Sequence, residues 1–357
     1  MNFRGASKDL PFLGLPLLLV LPLHCRAQAT IPPHSPGGQQ GCQRAATGVG
    51  IGEKLIETKQ YSGAIKEFQA VIAECPGNTL ARTDLTRAYL ETRQFPEAKR
   101  SAQNLLAQDP RSEPGQFLLA YSYFMQKQFP EAGKTLQTLL AQDPHHADAH
   151  KLMGITLFLY DRVALAEREL ETAIESRPKD PEAVYYLGRV YYTENNIPPA
   201  IDAFQRVLGM NPRSYKAYNN LGLCYEAIGK ADEATAAFEK AQELARAADP
   251  TYAWPYTNLA DMLLKEGRIA KALPYAREAV RINPRSAEAL YLLGKALYHT
   301  SDYQAALPYF LESIRLDPNS PKPHYFLGLL YERLGKLDAA HCEFALFEKT
   351  SKNAPRR

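Results

Sequence analysis

Apolar and small residues recur along this chain with a fixed period of 34 residues. Prolines mark the register, with one longer interval before the sixth of them: Pro76, Pro110, Pro144, Pro178, Pro212, Pro250, Pro284 and Pro318. A period of this length is typical of stacked supersecondary units and not of a single wound core.

The prolines define nine repeats, of which the sixth has four extra residues: 45–78, 79–112, 113–146, 147–180, 181–214, 215–252, 253–286, 287–320 and 321–354. Positions are counted from the first residue of each repeat. Apolar residues at helical spacing, such as Leu187 with Tyr191 and Phe204 with Val207, predict two helices per repeat. The proline ends the second helix.

Two positions are small in every repeat. Position 8 is glycine, alanine or threonine: Gly52, Thr86, Ala120, Gly154, Gly188, Gly222, Ala260, Gly294 and Gly328. Position 20 is alanine: Ala64, Ala98, Ala132, Ala166, Ala200, Ala234, Ala272, Ala306 and Ala340. Helices approach closely only where the facing side chains are small, so these columns predict the crossing point of an antiparallel helix pair.

The pattern is clearest in "YYLGRVYYTENNIPPAIDAFQRVLGMNP" (Tyr185 to Pro212) and "YNNLGLCYEAIGKADEATAAFEKA" (Tyr218 to Ala241). It resembles the tetratricopeptide repeat family. The resemblance implies an all-α fold, a right-handed superhelical solenoid of antiparallel helix pairs. Thr86, Ala102, Ala276 and Lys352 depart from the family pattern, and we expect them to weaken individual packing contacts.

The first 29 residues have the layout of a secretory signal peptide. Arg4 and Lys8 precede an apolar run from Pro11 to Leu23, and "AQA" ends at Ala29. We therefore expect an exported protein, periplasmic or extracellular, without a stable membrane span after cleavage. An uncleaved anchor and lipidation of Cys25 are the alternatives. Residues 30–44 read as a flexible linker, and residues 355–357 as a tail.

Net charge and cysteines add little to this picture. The net charge is +3, and without the signal segment, which contains Arg4, Lys8 and Arg26 against Asp9, it is near +1, which gives no general attraction for nucleic acid. Cys42 and Cys75 would lie at the same end of the first helix pair, where a disulfide is possible in an oxidising compartment; the alternative is two unpaired thiols. We expect Cys224 and Cys342 to be buried as small apolar residues.

Candidate catalytic chemistry is sparse. The sequence has no phosphate-binding glycine loop, nucleophile elbow or zinc-spaced cysteine cluster. His146, Asp148 and His150 fall in a loop and the first turn of a helix, and we do not assign a metal to them. We predict no cofactor and no enzymatic activity.

The resemblance implies that positions 2, 5, 6, 9, 12 and 13 face a concave surface that holds extended peptides. Three repeats have a ring or cation at positions 5, 9 and 12: Phe117, Tyr121 and Phe124; Tyr185, Arg189 and Tyr192; Tyr291, Lys295 and Tyr298. Rings beside cations suit a ligand with apolar and acidic groups. The alternative is that such pairs only stabilise the helix.

Polar residues favour repeats five to eight as the binding region. In peptide-binding members of the family, an asparagine at position 6 bonds the peptide backbone, and Asn220 and Asn258 match that position, with Asn219 beside them. Lys216 and Arg189 match a carboxylate clamp only in part. Trp254, at position 2, is either a partner anchor or packed against the longer helix of repeat six.

Two functions follow from the sequence. The first is a scaffold or adaptor that binds an extended segment of a protein partner. The second is a self-assembling structural module, a possible homodimer, because Phe344 and Phe347 lie on a face that a following repeat would normally cover.

Overall fold

The computed structural model describes residues 36–353, with side chains from residue 46 onward. This range contains eighteen α-helices and no strand, which confirms the all-α prediction. The expected signal segment (1–29) and the tail (355–357) lie outside the described residues.

The two helices of each repeat are called its A and B helices. The A helices are α1 (Pro36–Glu57), α3 (Thr79–Glu91), α5 (Glu113–Met125), α7 (Ala147–Leu159), α9 (Pro181–Thr193), α11 (Tyr215–Ala227), α13 (Trp254–Lys265), α15 (Ala287–His299) and α17 (Pro321–Arg333). The B helices are α2 (Tyr61–Glu74), α4 (Phe95–Gln108), α6 (Phe129–Gln142), α8 (Val163–Ser176), α10 (Ile197–Met210), α12 (Ala231–Ala248), α14 (Ile269–Ile282), α16 (Tyr303–Leu316) and α18 (Leu337–Asn353).

Most A helices start at a polar cap that lies two residues after the loop proline. The side chains of Asn78, Ser112, Ser214 and Ser286 each accept a hydrogen bond from the backbone N–H three residues later. His146 does the same through Nδ1, which accepts from the backbone N–H of Ala149 at 3.1 Å. These caps satisfy N–H groups that have no partner inside the helix.

Every A helix in the described range is followed at position 15 by a residue with positive φ: Lys59, Arg93, Lys127, Asp161, Asn195, Gly229, Gly267, Ser301 and Gly335. The next residue donates its N–H to the carbonyl five residues earlier, as from Gln94 to Tyr89. This is the hydrogen bond of a Schellman motif, which ends the helix and turns the chain back.

The crossing point is formed by position 8 of the A helix and position 24 of the B helix. A Cβ at Gly222 would lie 2.6 Å from the Phe238 ring, and one at Gly294 would lie 2.8 Å from the Phe310 ring. The alanines at position 20 are fully buried as well. The predicted close approach is therefore present, but the direct neighbour of position 8 is the large residue at position 24.

Thr86, Ala102 and Ala276, three of the departures from the family pattern, lie at the crossing point and are fully buried, and the expectation that they weaken individual contacts stays a prediction. In repeat two, Thr86 at position 8 occurs with Ala102 at position 24, and the Thr86 hydroxyl donates to the Ser101 hydroxyl at 2.8 Å. In repeat seven the same two positions are Ala260 and Ala276, both fully buried. In repeat two a larger residue on one helix thus accompanies a smaller one on the other, whereas repeat seven has small residues at both positions.

The described residues divide into two compact units, one ending at Val190 and one beginning at Tyr191, so the boundary falls within α9. From α1 to α8, and from α10 to α18, each helix packs against the next helix along the chain. Successive A helices also contact each other: α1, α3, α5 and α7 in the first unit, and α11, α13, α15 and α17 in the second. The extra residues of repeat six lengthen α12 to 18 residues, by about one turn.

The N-terminal helix and the cysteines differ in part from expectation. α1 begins at Pro36, inside the predicted linker, because the fixed φ of proline suits a first helical turn. Cys75 is disulfide-bonded, but the Cys42 side chain lies outside the described residues, so the Cys42–Cys75 pairing stays a prediction. Cys224 is buried as expected. The expectation for Cys342 is wrong: it is exposed, because position 22 lies on the solvent side of the B helix.

Candidate functional site

The A helices carry the candidate site. We use the term A face for the side chains at positions 2, 5, 6, 9, 12 and 13 of each repeat, which include the predicted groove residues. Because neighbouring A helices touch within each compact unit, residues of adjacent repeats meet on this face. Its chemistry differs from repeat to repeat, unlike the packing inside the helix pairs.

In repeat three the predicted stripe is mainly core. Tyr121 and Phe124 are buried, and their rings are 6.1 Å apart. Phe117 is half-buried and stacks on the His146 ring at 5.7 Å. The burial of these rings therefore favours a role in packing of the helix and the core over a role in binding.

In repeat five, Arg189 lies among aromatic rings. Its guanidinium carbon is 4.8 Å from the centre of the Phe158 ring and 5.5 Å from that of Tyr186. Only 8% of the Arg189 surface is exposed. Tyr185 is half-buried and packs edge-on against Tyr186 at 5.5 Å. We call Phe158, Tyr186 and Arg189 the Arg189 cluster.

Repeat two has an arginine at the same position. Nη1 of Arg87 donates to Oδ1 of Asp84, at position 6, over 2.9 Å. Asp84 is only 5% exposed. Burial raises the pKa of its carboxyl to about 6, against the opposing effect of Arg87. The cost of burying this charge thus exceeds the attraction of its partner.

A second ion-pair group lies on the A face of repeats four and five. Nζ of Lys151 is 2.9 Å from Asp180, 3.5 Å from Glu182 and 3.7 Å from Asp148. Arg177 contacts Asp148 at 2.7 Å. The carboxylates raise the pKa of Lys151 although burial opposes them. These charges compensate one another and fix the loop before α9.

The asparagines of repeats six and seven bond each other. Nδ2 of Asn258 donates to Oδ1 of Asn219 at 3.0 Å, and both side chains are buried between α11 and α13. Nδ2 of Asn220 donates to the carbonyl of Lys216, one turn earlier, at 2.9 Å. Asn258 therefore holds two A helices together, a role that sequence position alone did not indicate.

The remaining predicted residues of repeats five to seven are half-buried. Tyr192 lies at position 12, and burial raises its pKa. The Lys216 ammonium is 5.8 Å from the centre of the Tyr215 ring. Trp254 is the first residue of α13. Next to them, Nζ of Lys265 lies 2.8 Å from both Glu226 and Asp261, so that cation is compensated.

Repeats eight and nine form an aromatic surface with two lysines. The rings of Tyr291 and Phe326 meet at 5.8 Å, and the rings of Tyr298 and Phe326 also meet at 5.8 Å. Lys322 lies over Tyr291 at 5.5 Å, and Lys295 lies over Phe326 at 5.6 Å. Each lysine therefore contacts a ring on the other helix, and the two contacts link α15 and α17.

The charges of these two lysines are compensated differently. Lys322 donates to Glu288 at 3.0 Å, whereas no described carboxylate lies within ion-pair distance of Lys295. Burial lowers the pKa of Lys295 against the opposing effect of Asp261, and the neighbouring lysines Lys322 and Lys265 lower it further. Lys295 is half-buried, so an anionic group of a ligand could reach it.

At the C-terminal end, Phe344 and Phe347 are half-buried against their own repeat. Tyr325 packs on Phe344 at 6.1 Å and on Phe347 at 5.3 Å. Tyr325 itself is 40% exposed, whereas the equivalent Tyr291 of repeat eight is 5% exposed. Leu346 is exposed beside them. The open apolar surface at this end is thus centred on Tyr325 and Leu346, with the two phenylalanines beneath it.

Sequence reasoning missed several groups on the A face, the Lys151 ion-pair group among them. The Asp84–Arg87 pair could have been found from opposite charges three residues apart on one helix. Lys322 and Phe326 occupy positions 2 and 6 of repeat nine, and a comparison of adjacent repeats would have included them. Nothing in the pattern marked the buried hydroxyl of Tyr186.

Two negative findings apply to the described part of the chain. No cluster of three or more histidine, cysteine or acidic side chains there could hold a metal ion. No helix there has both the length and the apolar character needed to cross a membrane.

Comparison with known families identifies the fold. Tetratricopeptide repeat models match residues 55–113 and 94–155, 214–285, and 257–321. The chain belongs to the tetratricopeptide repeat family. A further model, described as anaphase-promoting complex, cyclosome, subunit 3, matches residues 156–241. No curated protein is significantly similar in sequence.

Solved tetratricopeptide repeat structures share this fold. The structure of the APC/C hetero-tetramer Cut9–Hcn1 is 20% identical in sequence, with a TM-score of 0.58. The match covers 70% of this chain and 52% of the matched chain, about half the length of the latter. A repeat protein from Parabacteroides merdae is 17% identical over 72% and 99% (TM-score 0.56). PilF of Pseudomonas aeruginosa is 23% identical over 61% and 98% (TM-score 0.51). Tetratricopeptide repeat proteins are in general non-enzymatic scaffolds for protein–protein interactions.

Proposed function

We propose that this protein is a scaffold or adaptor that binds an extended segment of a partner protein on its A face. The observation that carries the proposal is the surface of α15 and α17, where the ammonium of Lys295 lies over the Phe326 ring with no described carboxylate at ion-pair distance. Aromatic rings give a large contact area with little loss of side-chain entropy, and a desolvated cation adds specificity for an acidic group.

The asparagines take a different part in this proposal from the one that their sequence positions suggested. Asn258 and Asn219 bond each other, so Asn258→Ala would leave a buried amide without its partner and lower stability. Loss of binding in that variant would not separate recognition from folding. Tyr298 and Lys295 are the better probes, since both are half-buried side chains at the surface of α15.

Export is part of the same proposal and rests on the sequence of residues 1–29. A charged start, an apolar run and a small-residue cleavage site are the features of a secretory signal. The partner would then be a periplasmic or extracellular protein. Detection of a chain that starts at Thr30 in secreted or periplasmic material would support export, and an intact N-terminus on a cytoplasmic protein would contradict it.

The binding proposal can be tested with a display library of random peptides, in which each peptide is inserted into a carrier protein so that neither end is free. The library is selected for binding to the immobilised full-length protein. We expect enriched sequences whose binding is lost in Tyr298→Ala and in Lys295→Met, while Lys271→Met on the exposed side of α14 binds as well as wild type. Thermal unfolding would verify that the variants fold. Failure to enrich any peptide, or equal binding by all variants, would contradict the proposal.

Self-association is a second candidate, favoured by the exposure of Tyr325 and Leu346 above Phe344 and Phe347. A second copy of the chain could cover this surface and form a homodimer. Leu346→Glu should then convert a dimer to a monomer in sedimentation equilibrium. A wild-type protein that stays monomeric at high concentration would exclude this candidate.

A further inference from the structure

Arg189 is a buried cation without an internal counter-charge. Its side chain contacts the rings of Phe158 and Tyr186, but it forms no ion pair or hydrogen bond with any described residue. Cation–π contacts with two rings recover only part of the free energy that a guanidinium loses on leaving water. Buried charges in proteins are usually paired, so the unpaired state of Arg189 requires an explanation.

Repeat two shows what a compensated arginine at this position looks like. There, position 6 is Asp84, and it bonds Arg87 at position 9 over 2.9 Å. In repeat five, position 6 is Tyr186, which has no charge to offer. The arginine of repeat two therefore has a carboxylate one turn away on its own helix, and the arginine of repeat five does not.

Tyr186 adds a second uncompensated group to the Arg189 cluster. Its hydroxyl is fully buried and has no hydrogen-bond partner, and burial raises its pKa, so it stays protonated. The Tyr186 hydroxyl is thus fully buried and unpartnered, whereas no nitrogen atom of Arg189 is both fully buried and without a partner. The charged end of Arg189 is therefore the part of the side chain that keeps contact with solvent and can be reached by a ligand.

We propose that the Arg189 cluster binds the carboxylate of an aspartate or glutamate side chain in the bound partner segment. This inference rests on the proposed function and adds the chemistry of one residue of the partner. The planar guanidinium presents paired N–H donors at the spacing of the two carboxylate oxygens. The flanking rings of Phe158 and Tyr186 would contact the methylene groups of the acidic side chain.

A carboxylate fits this position better than a phosphate group. A phosphorylated residue has nearly two negative charges at neutral pH. The cluster offers a single uncompensated positive charge, that of Arg189. A singly charged carboxylate neutralises Arg189 and leaves no buried excess charge.

Selection of random peptides that are fused at both ends tests the inference, because no free C-terminal carboxylate is present. Wild type, Arg189→Met and Arg87→Met are used as baits. We expect one position of the peptides selected on wild type to be enriched in aspartate and glutamate. Arg189→Met should abolish this enrichment, and Arg87→Met should retain it, because Arg87 has an internal partner.

The outcomes separate this inference from the proposed function. If peptides are selected without acidic enrichment, or if Arg189→Met retains it, binding is real but the Arg189 cluster does not read a carboxylate. If no peptide is selected on wild type, the proposed function fails and the inference fails with it. Unfolding curves identify folded baits, and Arg189→Gln replaces Arg189→Met if the latter does not fold.

Discussion

Repeats two and five have the same residue at the same position and use it differently. Arg87 of repeat two is held by Asp84 on its own helix, whereas Arg189 of repeat five lies between rings without an acid. The two arginines differ because position 6 is an aspartate in one repeat and a tyrosine in the other. A charge that is compensated within its own helix contributes to the stability of the fold, whereas a charge without such a partner is available to bind a ligand.

The interior of the helix pairs follows the opposite rule. Repeat two combines Thr86 with Ala102, and repeat six combines Gly222 with Phe238, yet both pairs fill the crossing point. In these two repeats a larger residue at position 8 goes with a smaller one on the facing helix. Variation inside the pairs thus preserves one structure, whereas variation on the A face changes what the surface can bind.

The largest expected effect is the pH dependence of stability from Asp84. Its pKa is raised by burial to about 6, and Glu53 contributes in the same direction. The folded state therefore binds this proton more tightly than the unfolded state. Stability from this group is present below about pH 4 and falls as pH rises through 6, by about 3 kcal/mol at about 1.4 kcal/mol per pKa unit.

Asp84→Asn isolates this effect from the other titrating groups. The difference in unfolding free energy between wild type and this variant, measured by urea denaturation, should shift in favour of wild type as pH is lowered from 7 to 4. A difference that is independent of pH would show that Asp84 titrates normally and that repeat two does not bury a costly charge.

Gly222→Ala should lower stability by about 2 kcal/mol. Its Cβ would lie 2.6 Å from the buried ring of Phe238, which cannot move without disturbing the core. Gly209→Ala in α10 is the matched control, because nothing lies within 4 Å of its Cβ, and it should raise stability by about 0.5 to 1 kcal/mol.

A second substitution tests whether volume is conserved at the crossing point. Gly222→Ala combined with Phe238→Leu recreates the Ala120 and Leu136 combination of repeat three. The double variant should be less destabilised than the sum of the two single variants, as chemical denaturation can measure. Additive losses would mean that the two helices do not compensate each other.

Arg87→Met and Arg189→Met should differ in their pH dependence. Without Arg87, the Asp84 carboxyl takes up a proton instead of staying charged and unpaired. Because the pKa of Asp84 in wild type is about 6, protonation at pH 7 costs only about 1.4 kcal/mol, and this limits the loss of unfolding free energy in Arg87→Met. The loss should vanish near pH 5, where Asp84 is protonated in wild type too. Arg189→Met should show no such pH dependence, since no acid pairs with Arg189. Equal pH profiles in unfolding experiments would remove the distinction between the two repeats.

The smallest effect is expected for Tyr186→Phe, which removes a buried hydroxyl without a partner. Stability should rise by about 1 kcal/mol, because an unsatisfied polar group no longer has to be buried. Tyr89→Phe is the control: the Tyr89 hydroxyl accepts from Gln69 at 2.8 Å, so its loss should lower the melting temperature. A loss of stability in Tyr186→Phe would indicate that the hydroxyl has a partner in solution.

The helix pairs could be predicted from the sequence because their determinants are local and periodic. The loop prolines gave the register, and eight A helices, α3 to α17, begin within one residue of the repeat starts. The left-handed residue at position 15 was harder to see, because only Gly229, Gly267 and Gly335 mark it with glycine. The partner of position 8 was misjudged because spacing does not show which side chain fills a gap.

The candidate site could be predicted only as a surface. The stripe at positions 5, 9 and 12 drew attention to Arg189 and Lys295, but pairing depends on neighbours from other helices. The Asn219–Asn258 bond joins residues 39 positions apart, and the Lys295–Phe326 contact joins two repeats. A single repeat contains no signal for either contact.

The most direct test of the central claim is a binding cycle with one selected acidic peptide and its amide counterpart, in which the acid is replaced by asparagine or glutamine. Affinities of both peptides for wild type and for Arg189→Met would be measured by isothermal titration calorimetry. We predict that the amide weakens binding to wild type by about tenfold or more, as for a hydrogen bond to a charged group. Binding to Arg189→Met should hardly distinguish the two peptides. The same ratio of affinities for both proteins would contradict a carboxylate site at Arg189.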